Sequence, residues 1–115
     1  MLPRKVDKPW GYELIYAETE RYAGKVLFVK QGEQLSLQYH RVKDETMYLY
    51  SGRARFEMGD SEGNTETMEL AAGDACHIEP GRRHRVLALE DCFILEVSTP
   101  ELDDVVRLED RYGRA

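Results

Sequence analysis

Residues 34–58 read QLSLQYHRVKDETMYLYSGRARFEM. Polar and apolar residues alternate through QLSLQYH (34–40), TMYLY (46–50) and ARFEM (54–58), and short charged or glycine-bearing links separate the three runs. Alternation with period two, cut every few residues by turn chemistry, is the pattern of half-buried β-strands. In such a strand residues two apart share a face, so Gln38 and His40 point the same way. The tyrosines at 39, 48 and 50 fall on the opposite parity and are expected on the outside of the sheet.

The pattern continues on both sides. YELIY (12–16) and KVLFVK (25–30) precede it. TETMEL (65–70), ACHIE (75–79), HRVLALE (84–90) and CFILEV (92–97) follow. The links QGEQ, YSGR, MGDSEGN, AAGD and EPGRR all carry glycine, which supplies the positive φ of tight turns. Nine or so short strands at this spacing predict an all-β sandwich or barrel. Only residues 100–115, PELDDVVRLEDRYGRA, suggest a helix, with Pro100 and acidic residues at the start and Val105, Val106 and Leu108 on one face.

The 115 residues contain no linker, repeat or low-complexity tract, so one domain spanning 1–115 is expected. A net charge of -6 with both signs mixed argues against nucleic-acid binding. The N-terminus lacks the apolar run of a signal peptide, and no stretch approaches a membrane span. Cys76 and Cys92 lie in strand-like runs and read as reduced, buried thiols. A cytoplasmic location is expected.

Two blocks of spacing carry the functional reading. The first is Gly32, five residues, Gln38, one residue, His40, four residues, Glu45, six residues, Gly52. The second is Gly73, five residues, Glu79, one residue, Gly81, two residues, His84. Together they resemble the two motifs of the cupin superfamily, in which the first block reads glycine, histidine-x-histidine, glutamate, glycine. Gln38 stands where the first histidine is usual, Glu79 where a proline is usual, and Ala88 where an asparagine often closes the second block. The words KPWGYE, LSLQYH and DDVVRLEDRYGR narrow the likeness to the C-terminal cupin domain of type II phosphomannose isomerases, which also carries glutamine at the position of Gln38. Nothing in these residues resembles the nucleotidyltransferase half of those proteins, so a small stand-alone cupin is expected.

The resemblance implies a double-stranded β-helix, or jelly-roll barrel, with a short C-terminal helical segment. It implies a divalent metal (Zn²⁺, Mn²⁺ or Fe²⁺) held by Gln38, His40, Glu45 and His84. Imidazole nitrogen with carboxylate and amide oxygen suits such ions and leaves positions open. A sugar phosphate is the implied ligand and aldose–ketose isomerisation the implied reaction, with Glu45 as candidate base. Arg41, Lys43, Arg82 and Arg85 are the expected phosphate contacts, since guanidinium and ammonium groups pair with phosphate oxygens. Arg107, Tyr112 and Arg114 are further candidates by resemblance. Trp10 reads as a packing anchor and His77 as a surface residue. A homodimer is expected, the second copy covering the outer face. The competing readings are a non-catalytic metal-dependent sugar-binding or sensing module and an iron-dependent oxygenase.

Overall fold

The structure is a computed structural model and describes residues 1–60 and 62–115. Among the described residues eleven strands are present: β1 (Arg4–Lys8), β2 (Gly11–Glu18), β3 (Ala23–Val29), β4 (Leu37–Tyr39), β5 (Glu45–Ser51) and β6 (Arg53–Gly59), then β7 (Thr65–Ala71), β8 (Ala75–Ile78), β9 (His84–Ala88), β10 (Cys92–Ser98) and β11 (Val106–Glu109). They form a six-stranded sheet, β1-β2-β3-β10-β5-β8, and a five-stranded sheet, β11-β4-β9-β6-β7. Every pairing is antiparallel.

The alternation works as the pleat requires. Along β5, Glu45, Met47 and Leu49 are buried, while Thr46, Tyr48 and Tyr50 face out. Along β10, Cys92, Ile94, Glu96 and Ser98 turn inward. Leu27, Val29, Leu49 and Ile94 from one sheet meet Phe56, Met58 and Val86 from the other in a single core. The β5–β6 turn needs Gly52 twice over. Its φ is 94°, and a Cβ there would stand 2.3 Å from the Asp91 carbonyl oxygen.

Two expectations fail. The strand β1 was not expected, because RKVDK is almost wholly polar; it exists as the edge partner of β2. The expected C-terminal helix is absent, and no α-helix occurs among the described residues. Residues 106–109 instead pair with β4, Val106 opposite Tyr39 and Arg107 opposite Gln38. The edge of β4 offers unpaired backbone groups, and an extended tail satisfies them where a helix would not. Side chains fasten that tail. The Asp104 carboxylate accepts from the backbone N–H groups of Arg41, Val42 and Lys43 at 3.0, 2.8 and 2.9 Å. Arg111 donates to the Gly32 carbonyl at 2.6 Å, and the Tyr112 hydroxyl donates to Glu33.

Candidate metal centre

Three strand ends converge at one end of the core. His40 follows β4, Glu45 begins β5 and His84 begins β9. All three are buried, and one donor atom from each lies within 4.8 Å of the others. Gln38 sits directly opposite His84 across the β4–β9 ladder, so the two share a face. The four residues predicted from spacing are therefore gathered in one place.

The ring orientations decide what the cluster can do. His40 Nδ1 lies 2.5 Å from the Asp104 carbonyl oxygen, and His84 Nδ1 lies 2.9 Å from that of Arg82. A carbonyl oxygen only accepts, so each Nδ1 must carry the proton. In the neutral rings both Nε2 atoms are then bare. They stand 3.1 and 3.4 Å from Glu45 Oε1. Lone pairs and a carboxylate thus face one another in a buried space. His84 Nε2 and Glu45 Oε2 have no hydrogen-bond partner among the described residues. A cation shared between them satisfies all of these atoms, and imidazole with carboxylate is a donor set suited to first-row divalent ions. The residues present fit the implied metal. Backbone carbonyls behind metal-ligating histidines are the usual means of fixing the tautomer.

The charges around the cluster form a buried chain. Lys43 Nζ lies 3.1 Å from Glu45 Oε2 as an ion pair without hydrogen-bond alignment, and 3.1 Å from Glu96 Oε2. Lys25 Nζ lies 3.9 Å from the same Glu96 oxygen and 3.2 Å from Glu13. Burial by itself would raise the Glu45 carboxyl. With the two rings protonated, the His40 and His84 N–H groups and the Lys43 charge override it and hold Glu45 well below the usual carboxylate range. Glu96 moves the other way: burial raises it, and the neighbouring Glu45 charge adds to the rise. For Lys43, burial lowers the ammonium, but Glu96 and Glu45 outweigh that and raise it.

A cavity of about 300 Å³ opens from this cluster, with Gln38, His40 and Glu45 in its wall. That is the lower end of the range for small-molecule sites. Lys25, Lys43, Glu13 and Glu96 also line it, as do Trp10, Arg107 and Arg114. Of these, Glu13, Lys25 and Glu96 were missed from sequence. Trp10 is buried in the core as expected, with one side on the cavity.

Of the four expected phosphate contacts, one, Lys43, lines the cavity. Arg82 donates to the Gly59 carbonyl and pairs with Glu79, and Arg85 pairs with Glu57 and Glu109. Arg41 is exposed, with its guanidinium over the Tyr39 ring. None of the three lines the cavity. In β9 Arg85 alternates with His84 and therefore faces away from it. Lys43 does line the cavity, but its charge is engaged by two carboxylates. His77 is a surface residue, 2.7 Å from Asp44. Both cysteines are free, Cys92 buried and Cys76 half-buried.

A family model described as mannose-6-phosphate isomerase C-terminal matches residues 2–110. The chain belongs to this family. It is 38% identical over 117 residues to the mannose-1-phosphate guanylyltransferase ManC of Salmonella typhimurium strain LT2, covering 96% of this chain and 23% of that protein. It is 35% identical to the xanthan biosynthesis protein XanB of Xanthomonas campestris pv. campestris strain B100, covering 96% of this chain and 24% of that protein. The chain thus spans about a quarter of the length of the curated relatives it matches. Among solved structures, oxalate decarboxylase from Bacillus subtilis superposes with a TM-score of 0.83 at 21% identity, over 93% of this chain and 30% of that one. That likeness establishes the cupin fold and nothing about the reaction.

Proposed function

We propose that the chain is a metal-dependent sugar-phosphate isomerase domain, interconverting an aldose phosphate and its ketose at the cavity described above. The observation that carries the reading is the pair of bare imidazole Nε2 atoms meeting Glu45 beside a cavity of about 300 Å³ that His40 and Glu45 line. The family match adds the sugar phosphate class. His40, Glu45 and His84 would hold the ion, with Gln38 supplying an amide oxygen beside them. When bound, a divalent cation supplies Lewis-acid polarisation of the substrate carbonyl.

Isomerisation also needs a group that carries a proton between adjacent carbons. The sequence suggested Glu45, but its carboxylate is committed to two imidazoles and held strongly acidic. Glu96 suits the role better. Glu96 lines the cavity, pairs with Lys43 and is bonded to neither histidine. The Lys43 ammonium keeps that carboxylate oriented. Trp10 and Leu27 restrict water on the apolar side of the cavity.

The test is conversion of mannose 6-phosphate to fructose 6-phosphate after the protein is stripped and reloaded with Mn²⁺, Zn²⁺ or Fe²⁺. Turnover in one loaded form, lost in Glu96→Gln with metal still bound, is the expected result. Tight metal and sugar-phosphate binding with no turnover in any form would assign the chain to the non-catalytic binding module instead.

The homodimer expected from sequence also belongs to this proposal. The outer face of the six-stranded sheet exposes Tyr48, Tyr50, Phe93 and Val97, at 39, 63, 37 and 55%. An apolar face of this kind is what a second copy would cover.

A further inference from the structure

The inward face of the six-stranded sheet carries an ion pair that the proposed reaction does not use. Glu13 on β2 stands opposite Leu27, and Lys25 on β3 stands between Ile15 and Glu96. Ile15 and Leu27 are buried, so the pleat turns all of these side chains to the same inner side. Lys25 Nζ donates to Glu13 Oε1 at 3.2 Å. The Lys25 and Glu13 side chains are 8% and 16% exposed, and both line the cavity.

The pair has bonding capacity left over. An ammonium carries three donors, and both oxygens of a carboxylate accept. Lys25 makes one hydrogen bond among the described residues, and the Glu96 oxygen at 3.9 Å lies beyond the range of a second. Glu13 Oε2 accepts none among the described residues, and it is not sealed off as His84 Nε2 is. The two charges cancel, so the pair is not an anion site. A donor beside an acceptor matches a hydroxyl, which gives one hydrogen bond and receives another. Trp10 and Leu27 line the same cavity and supply apolar surface for the C–H groups of a polyol. Stability alone gives little reason for the pair, because apolar residues of similar volume can replace a buried ion pair without loss.

We propose that Glu13 and Lys25 form a hydroxyl-recognition subsite that sets which sugar the cavity accepts. The inference rests on the sugar-phosphate reading above and adds the residues that read the sugar's hydroxyl groups. Lys25, Glu96, Lys43 and Glu45 follow one another at 3.9, 3.1 and 3.1 Å, so the pair is separated from the ligand cluster by two side chains. With C1 and C2 of the sugar at that cluster, the hydroxyls on C3 and C4 are the ones brought toward the pair. Glu13 Oε2 accepts from such a hydroxyl, and Lys25 donates to its oxygen. A ligand without that hydroxyl leaves a donor and an acceptor of the wall unpaired, and sites built this way reject it strongly.

Calorimetric titration of the full chain, supplied with Mn²⁺, with mannose 6-phosphate and its 3-deoxy and 4-deoxy analogues tests this. The parent protein is expected to bind one of the two analogues at least tenfold more weakly than mannose 6-phosphate. Glu13→Leu should weaken mannose 6-phosphate binding at least tenfold and no longer distinguish it from that analogue. Glu13→Gln, which keeps an oxygen acceptor without the charge, should recover part of both effects, and thermal melts report whether each variant is folded. A pair that serves only packing would weaken all three ligands alike and leave the discrimination intact. That result, or a parent protein that binds no sugar phosphate or binds all three equally well, overturns the subsite. Turnover, followed in the same samples, separates the two readings. Discrimination that depends on Glu13 without conversion to the ketose retains the subsite and loses the isomerase reading, and conversion without discrimination does the reverse.

Discussion

Replacing Lys43 by methionine probes the charge chain that surrounds the metal centre. The Lys43 side chain is 4% exposed, and its ammonium stands 3.1 Å from both Glu45 and Glu96. Methionine keeps most of the volume and removes the charge. Removing one member of a buried ion pair costs about 3–5 kcal/mol, because the partner remains buried and uncompensated. One contact softens the loss: Glu96 keeps Lys25 at 3.9 Å. The lower end, about 3 kcal/mol, is therefore expected. At about 4 °C per kcal/mol for a domain of this size, the midpoint should fall by about 12 °C. Urea unfolding of chelator-treated protein measures the change directly. The double variant Lys43→Met/Glu96→Leu should recover to within about 1 kcal/mol of the parent, since an apolar pair can replace a buried ionic one without loss. A loss below about 1 kcal/mol in Lys43→Met, the value of an exposed ion pair, would refute the reasoning. It would mean that the two carboxylates are not held as a charged pair by this ammonium.

Three further outcomes follow from named contacts. Backbone N–H groups of Val42, Lys43 and Arg41 hold the Asp104 carboxyl at about 2, below the ordinary aspartate value of about 3.9. Its contribution to stability is therefore present above about pH 4 and is lost as pH falls through about 2. Asp104→Ala should flatten unfolding curves between those limits and weaken metal binding about 10- to 100-fold, by freeing the segment behind His40. An unchanged acid limb removes Asp104 from this role. Gln38→His should tighten metal binding while lowering isomerase turnover, because a neutral amide oxygen leaves the ion more electron-poor than imidazole; calorimetry and the coupled isomerase assay read the two effects, and faster turnover sinks the idea. Tyr50→Lys should shift the sedimentation equilibrium of the chain toward monomer at least tenfold, and an unaffected association would place the copies' interface on another face.

The grouping of His40, Glu45 and His84 was legible because its information is periodic. Gln38 and His40 are two apart on a strand, and the second block brings His84 to the neighbouring strand. The inward parity that placed these residues also placed Tyr48 and Tyr50 outside, as observed. The surroundings of Arg82 and Arg85 were not legible by the same means. Arg82 and Arg85 are adjacent to His84 in sequence, but adjacency in a strand means opposite faces, or a turn whose charges find carboxylates of their own. Signals for the missed residues were present. Glu96 sits at a buried parity between Ile94 and Ser98, and Lys25 shares a parity with Leu27 and Val29. A charged residue at an inward position of an otherwise apolar strand points to a lined cavity. The tail was misread because Asp103, Asp104 and a few valines mimic a helix start. The decisive partners, the edge of β4 and the N–H groups of residues 41–43, lie some 60 residues away in sequence.

The central claim is that two imidazoles protonated on Nδ1 and the Glu45 carboxylate together hold a divalent ion. Calorimetric titration of chelator-stripped protein with Mn²⁺ and Zn²⁺, run on the parent chain and on His84→Ala, tests it most directly. The account predicts saturable, stoichiometric binding by the parent and none by the variant, with both proteins folded by circular dichroism. A flat titration for the parent, or undiminished binding by His84→Ala, would contradict it.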